Sequence, residues 1–325
     1  MVRIFAAAAI AIATQLVPSI ANAQSSPNYP NRPIKIVVGY PPGGSGDFTT
    51  RVIADELSRE FGVAVVVDNR PGAGGTIAAD IVAKSPADGY TILNGGHPTI
   101  SKELYRKLPF DPDKDLVTVC LVATGTTVLI VNNNLPVYNL RELIAYAKAN
   151  PGKLFSASAG FGSAPHLASV QFEAAAGVKF TTVQFKGGGP AAQSLLAGDT
   201  QVMFATSPTV TGMIKAGRMR PIIVSKRTAS PSIPGIPGAE EAGLRDYEST
   251  FWFGLWVPAG TPQAIINRLH EAAAKALNRP EVRNRIASQG MDAAPSASPA
   301  AFQALIKEEA VMWERVVRDS GARVE

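Results

Sequence analysis

Ser163 and His166 lie three residues apart and Asp47 stands far upstream, so a hydroxyl, an imidazole and a carboxylate are all present for acyl transfer. Hydrolysis of that kind needs its serine on a strained elbow, and no Gly-x-Ser-x-Gly occurs anywhere in the chain. An exported serine hydrolase using Ser163 and His166 is therefore the secondary reading. The three histidines, His97, His166 and His270, show no metal-ligand spacing. One cysteine, Cys120, excludes an intramolecular disulfide and a cysteine-based metal cluster. No metal and no cofactor is expected.

Three glycine-bearing segments suggest different chemistry, the holding of an anion. They are Pro42-Gly43-Gly44-Ser45-Gly46-Asp47 after Tyr40, Ala159-Gly160-Phe161-Gly162-Ser163, and Lys186-Gly187-Gly188-Gly189-Pro190. Each follows a β-branched run and leads into a helical pattern. In open α/β sheets ligands bind beyond the carboxyl ends of the strands, where helix N-termini offer free amides and partial positive charge. Glycine lets backbone approach a carboxylate and serine adds a donor. Any one loop is also readable as an ordinary turn, but two similar ones point to an anion held between them. Lys186 either faces that anion or sits in solvent. Asn94 and His97 end a strand and either line the cleft or form a surface turn. Gly72 to Gly75 lacks the P-loop lysine and the third glycine of a dinucleotide fingerprint, so it is read as structural.

The elements that must position these loops alternate in type, which is the pattern of an α/β fold on parallel sheets. Strands are expected at Ile34 to Val38, Val63 to Val67 and Tyr90 to Leu93. A helix carries Val52, Ile53, Leu57 and Phe61 on one face, with Asp47 as its N-cap, and a small-residue helix runs from Thr76 to Ala83. Two separate apolar runs, Leu116 to Ala123 and Val128 to Val131, could carry the chain out of this first sheet. A second series follows: a helix on Leu140, Leu143, Ile144 and Ala147, a strand at Leu154 to Ala157 and a helix entered at Pro165. Strands near Phe180 to Phe185, Gln201 to Phe204 and Arg220 to Val224 complete it. Phe251 to Val257 reads as an aromatic strand, after which the chain is expected to be helical to its end. Phe302, Leu305, Ile306, Trp313, Val316 and Val317 form a packing stripe there.

The chain has 325 residues, 46% hydrophobic and 18% charged, which excludes an intrinsically disordered protein. Arg3, the apolar run Ile4 to Ala13 and Ala21-Asn22-Ala23 read as a signal peptide over residues 1–23, the run being too short to span a bilayer. Its removal changes 31 basic residues against 26 acidic to 30 against 26, lowering the formal charge from +5 to +4. Those basic residues are scattered rather than striped, so no nucleic-acid partner is expected. An exported, periplasmic protein is.

The order of motifs resembles the tripartite tricarboxylate transporter substrate-binding family, the Bug (Bordetella uptake gene) proteins, over nearly all of the mature length. The matching segments include Pro42-Gly43-Gly44 with Asp47, Val67-Asp68-Asn69-Arg70-Pro71-Gly72-Ala73-Gly74-Gly75 and Asp88-Gly89-Tyr90-Thr91. Gly160-Phe161-Gly162-Ser163 with His166, Lys186-Gly187, Ile214-Lys215-Ala216-Gly217 and Trp252-Phe253-Gly254 with Pro258-Ala259-Gly260-Thr261-Pro262 continue the series. The resemblance implies a two-lobe, type II periplasmic binding protein, monomeric, that holds a small organic acid in the cleft and serves integral-membrane transporter subunits. Lobe one would comprise residues 28–125 and 251–325, and lobe two residues 126–250.

By the resemblance the carboxylate is held by Gly43 to Asp47 and Gly160 to Ser163, and the candidate site as a whole takes Tyr40, Pro42, Gly43, Gly44, Ser45, Asp47, Phe48, Asn94, His97 and Trp252 from lobe one. From lobe two it takes Ala159, Gly160, Phe161, Gly162, Ser163, His166, Lys186, Gly187 and Ser207. Phe48, Phe161 and Trp252 either offer apolar surface to an aromatic acid or belong to the core. Where the family often carries an Asp, this chain has Ala205-Thr206-Ser207, which argues against an amino-acid ligand whose ammonium group would need a carboxylate.

Overall fold

The computed structural model describes residues 28–97, 102, 104, 105 and 107–320; the leader expected over 1–23 lies outside them. The first half opens with β1 (Ile34–Val38), α1 (Ser45–Phe61), β2 (Val65–Asn69), α2 (Thr76–Ala83) and β3 (Thr91–Gly95). A short α3 (Pro112–Asp115) leads into the long β4 (Leu116–Val131). Then come α4 (Leu140–Ala149), β5 (Phe155–Ser158), α5 (Ala164–Ala176), β6 (Thr181–Gln184), α6 (Gly188–Ala197), β7 (Val202–Thr206), α7 (Ser207–Lys215) and β8 (Arg220–Val224). The chain ends with β9 (Thr250–Pro258), α8 (Gln263–Leu277), α9 (Pro280–Ala287), β10 (Met291–Ala293) and α10 (Pro299–Ser320).

The strands form a curled sheet in the order β2-β1-β3-β9-β4-β7-β5-β6, with β8 and β10 also paired to β4. β1 pairs parallel with β2 and β3, and β5 pairs parallel with β6 and β7, as expected where helical crossovers join successive strands. The protein is thus two α/β lobes joined through β4. From Leu116 to Thr126 that strand pairs with β9, and from Thr127 onward it pairs with β7. At the exchange Thr127 Oγ1 lies 2.6 Å from Ser225 Oγ, which lies 2.9 Å from the Tyr247 hydroxyl. These buried hydroxyls satisfy one another where the ladder changes partner. Each lobe has its own apolar core, with Ile36, Ile53, Leu57, Ile92 and Leu255 in one and Leu129, Leu143, Phe172, Phe204 and Tyr247 in the other.

The two apolar runs in 116–131 join in one strand through Gly125, where a Cβ would come 2.5 Å from Phe251 Cζ, so the glycine admits the ring of the neighbouring strand. Three expectations need correction. β2 begins and ends two residues later than expected, since Asp68 and Asn69 extend the parallel ladder opposite Val37 and Val38. Asp47 is the third residue of α1, and Gly44 is its N-cap. Finally, the chain after β9 is not wholly helical: Met291 to Ala293 pair antiparallel with Ala123 to Gly125, covering an edge of β4.

Candidate functional site

The loop between β1 and α1 is held from behind by a carboxylate. Asp47 Oδ2 accepts from Gly43 N at 3.0 Å and from Arg51 Nε at 3.0 Å, and Oδ1 accepts from Asn69 Nδ2 at 2.9 Å. Asn69 Nδ2 also donates to Tyr40 O at 3.0 Å, so β2 grips both ends of the loop. Burial pushes the Asp47 carboxyl up, yet the Arg51, Gly43 and Asn69 donors outweigh it and hold it below the ordinary carboxylate range. The N-cap residue of α1, Gly44, makes no side-chain capping bond. A 17-residue helix therefore presents the amides of its first turn with no side-chain acceptor on them.

In lobe two the helix start is more self-contained. Ser163 caps α5, its Oγ accepting from His166 N at 3.4 Å, and Pro165 follows inside the first turn. His166 Nδ1 accepts from Gly162 N at 3.3 Å, and burial pushes the imidazole down to about 4, so it is a neutral acceptor holding the loop. Its backbone N–H, not its ring, is what Ser163 meets.

The two loops face each other across a cavity of about 90 Å³. Pro41, Gly44, Ser45 and Gly46 line it from lobe one, and Ala159, Ser163, Pro165 and Leu167 from lobe two. Gly187, Gly188, Met203, Ala205, Thr206 and Thr209 extend the second wall. The lobes touch around it. Ser45 Oγ donates to Thr206 Oγ1 at 3.3 Å, and a Cβ on Gly187, whose φ is +114°, would come 3.1 Å from Pro41 Cγ. Gly46 is equally confined, since a Cβ there would meet Tyr40 Cδ2 at 2.4 Å, and Tyr40 in turn packs edge-on against Phe253 at 5.5 Å.

Of the expected residues, Tyr40, Gly44, Ser45, His97, Ala159, Ser163, Gly187 and Trp252 line this cavity. The others lie elsewhere. Pro42 and Gly43 are exposed at the loop tip, Asp47 stands behind it, and Phe48 packs on the lobe-one core. Asn94 is fully buried in β3, its side-chain amide without a hydrogen-bond partner. Gly160 is half-buried and Gly162 buried within the second loop, while Phe161 is 40% exposed with its ring 4.5 Å from that of His166. Lys186 takes the solvent side of its two readings. Ser207 is turned away from the cavity, its hydroxyl donating to Gly290 O at 2.8 Å.

Sequence reasoning missed the C-terminal contribution. Trp313, read as packing, also lines the cavity, as does Glu309, which accepts from Trp252 Nε1 at 2.6 Å. Burial pushes the Glu309 carboxyl up, against the opposing Trp252 donor. A signal was available: Glu309 falls between Ile306 and Trp313 at helical spacing, a carboxylate on an otherwise apolar stripe. Cys120 is fully buried with its thiol pushed up by burial to about 11, an inert position. Among the described residues no group of three His, Cys, Asp or Glu could hold a metal, and no helix is long and apolar enough to cross a membrane.

Residues 49–322 match the model of the tripartite tricarboxylate transporter family receptor. Protein BugT of Bordetella pertussis is 36% identical, over 100% of this chain and 99% of its own. Among solved structures, R. palustris Rpa4515 with adipate is 33% identical with a TM-score of 0.86, covering 90% of this chain and 98% of its own. MatC from Rhodopseudomonas palustris with bound malate is 31% identical with a TM-score of 0.82, covering 89% of this chain and 100% of its own. With its two lobes, its shared cleft and these likenesses, the chain belongs to the tripartite tricarboxylate transporter receptor family, that of the Bug solute-binding proteins.

Proposed function

We propose that this chain is a periplasmic solute-binding protein that captures a small carboxylic acid between its lobes and delivers it to the membrane subunits of a tripartite tricarboxylate-type transporter. Lobe one would be residues 28–125 with 251–325 and lobe two residues 126–250, with the leader 1–23 removed on export. The observation that carries this reading is the start of α1, where first-turn amides without a side-chain cap line a cavity shared with lobe two. The adipate and malate in two related structures support a carboxylate as the ligand. Contacts to both lobes at once would favour the closed arrangement, so closure is the work that binding does. Aromatic walls, among them Trp252 and Phe253, extend the class to aromatic acids.

Titration calorimetry of the mature chain against mono-, di- and aromatic carboxylates tests the reading. At least one should bind with a saturable heat, and failure of all of them would sink it. The hydrolase alternative gains no support from the geometry, since Ser163 Oγ serves as a helix cap and His166 Nδ1 takes a backbone N–H. A turnover assay on generic esters with a Ser163→Ala control decides it: a serine-dependent rate would revive the enzyme.

A further inference from the structure

The cavity has two chemically different ends. Strand β9 alternates its side chains, so Phe251 and Phe253 pack on the α1 face of the sheet while Trp252 packs on the other, with Phe302 and Ile306 of α10. The cavity is lined by residues of both faces: Ser45, Gly46 and Phe253 belong to the first, and His97, Trp252, Glu309 and Trp313 to the second. The first end carries the helix amides. The second has no such source of positive charge, and among the described residues no lysine or arginine lines any part of the cavity.

At that second end stands an imidazole with nothing to bond. His97 is 5% exposed and neither ring nitrogen has a hydrogen-bond partner. Its ring is stacked on Trp313 at 5.0 Å and meets the edge of Trp252 at 6.4 Å, so its orientation is set by the two indoles. Burial holds it neutral, pushed down to about 3, leaving one donor nitrogen and one acceptor nitrogen. A buried polar group without a partner is costly, and a ligand group that supplies the missing bond recovers that cost on binding. Beside it, Glu309 is fixed by the Trp252 indole N–H.

From this juxtaposition we infer that His97 and Glu309, held between Trp252 and Trp313, form a distal subsite that selects an aromatic monocarboxylate bearing a hydroxyl at the end remote from its carboxylate. This rests on the function proposed above and names the substrate class for that site. The two indoles supply flat apolar walls for a ring. Both His97 nitrogens are covered in this arrangement, so a ligand hydroxyl reaches them as the flanking indoles give way, donating to the acceptor nitrogen or to Glu309 and accepting from the donor nitrogen. A second carboxylate would enter an apolar recess beside Glu309 with no cation to compensate it, which is the arrangement that rejects a dicarboxylate.

Calorimetric titration of the mature chain with benzoate, 4-hydroxybenzoate and benzene-1,4-dicarboxylate reads this directly. Wild type should bind 4-hydroxybenzoate about 10-fold or more tighter than benzoate, as expected for a hydrogen bond to an otherwise unpaired buried group, and the dicarboxylate most weakly. Glu309→Gln should raise the affinity for the dicarboxylate while His97→Phe erases the advantage of the hydroxy acid, with apo melting temperatures confirming that both variants fold. If a variant does not fold, the wild-type order alone decides. A dicarboxylate bound most tightly by wild type, or a hydroxy acid bound no better than benzoate, would overturn the subsite. Binding of adipate or malate with no aromatic acid would overturn it and leave the proposed function standing, whereas binding of no acid at all would remove both.

Discussion

Lobe one and lobe two each end a parallel strand in a glycine loop that enters a helix, yet they treat the helix start differently. In lobe two, Ser163 supplies its own oxygen to an amide of the first turn and His166 takes the N–H of Gly162. In lobe one the cap position is Gly44, without a side-chain oxygen, and the stabilising carboxylate of Asp47 reaches backward to Gly43 rather than forward over the helix end. The first arrangement satisfies itself, while the second leaves its amides for something else to satisfy. Lobe one should therefore carry most of the anion affinity, and lobe two should act as the wall that closes on it.

The largest effect expected from breaking this asymmetry is at Asp47. Asp47→Ala strands the donors of Gly43 and Asn69 and releases the loop, which should lower stability by about 2 kcal/mol and ligand affinity by about 10-fold or more. His166→Ala, the lobe-two counterpart, should change affinity by less than about 3-fold, because a single neutral bond is lost there. Paired calorimetric and thermal-melting measurements check both, and equal losses from the two lobes would contradict the comparison.

Acid should separate the lobes next. The Asp47 carboxyl is depressed on folding, so its stabilisation is complete above the unfolded value of about 3.9 and is lost as pH falls through its lower folded value. His166 is a base held neutral, with its folded value depressed to about 4. The unfolded chain takes up its proton from about pH 6.5 downward, so stability is lost between about 6.5 and 4 and no further below that. Denaturant melts across pH should show His166→Gln reducing the slope of the upper window, where buried His97 supplies the remainder, and Asp47→Asn reducing that of the lower one. An unchanged profile in either variant would show that the group does not titrate as its surroundings dictate.

A smaller change is expected from Ser163→Ala, about 1 kcal/mol of stability for a lost cap, with affinity altered by less than about 3-fold. Smallest is Ser45→Ala, which removes only the 3.3 Å bond to Thr206 across the cleft. About 0.5 kcal/mol of closing energy should go with it, visible as a slightly larger radius of gyration of the unliganded protein in solution scattering.

Much of this was legible in the sequence where local rules act alone. The strand and helix alternation, the three glycine loops and the aromatic strand follow from period and turn chemistry, and α2 and β8 fall on the residues expected of them. What was not legible depends on partners distant in sequence. Nothing local marks Gly125 as the place where the Phe251 ring lies against the strand, and Ser207 reads as a pocket hydroxyl until Gly290 accepts its proton. Asp47 has the residue type of a cap, and only the Gly43, Asn69 and Arg51 contacts show it as a strut. The helical stripe marks Glu309 as an odd carboxylate beside Ile306 and Trp313, but that it and Trp313 reach the cavity depends on α10 packing back on β9, a long-range placement.

Whether a carboxylate is held by the amides at the start of α1 is decided by comparing acids with their own carboxamides. Titrating the mature chain with benzoate and benzamide, 4-hydroxybenzoate and 4-hydroxybenzamide, and adipate and adipamide holds shape nearly constant while removing the charge. At least one acid should bind saturably, with a loss of about 100-fold or more for its amide, given charge-assisted bonds to a helix terminus in a cavity enclosed between the lobes. An amide bound as tightly as its acid would contradict it.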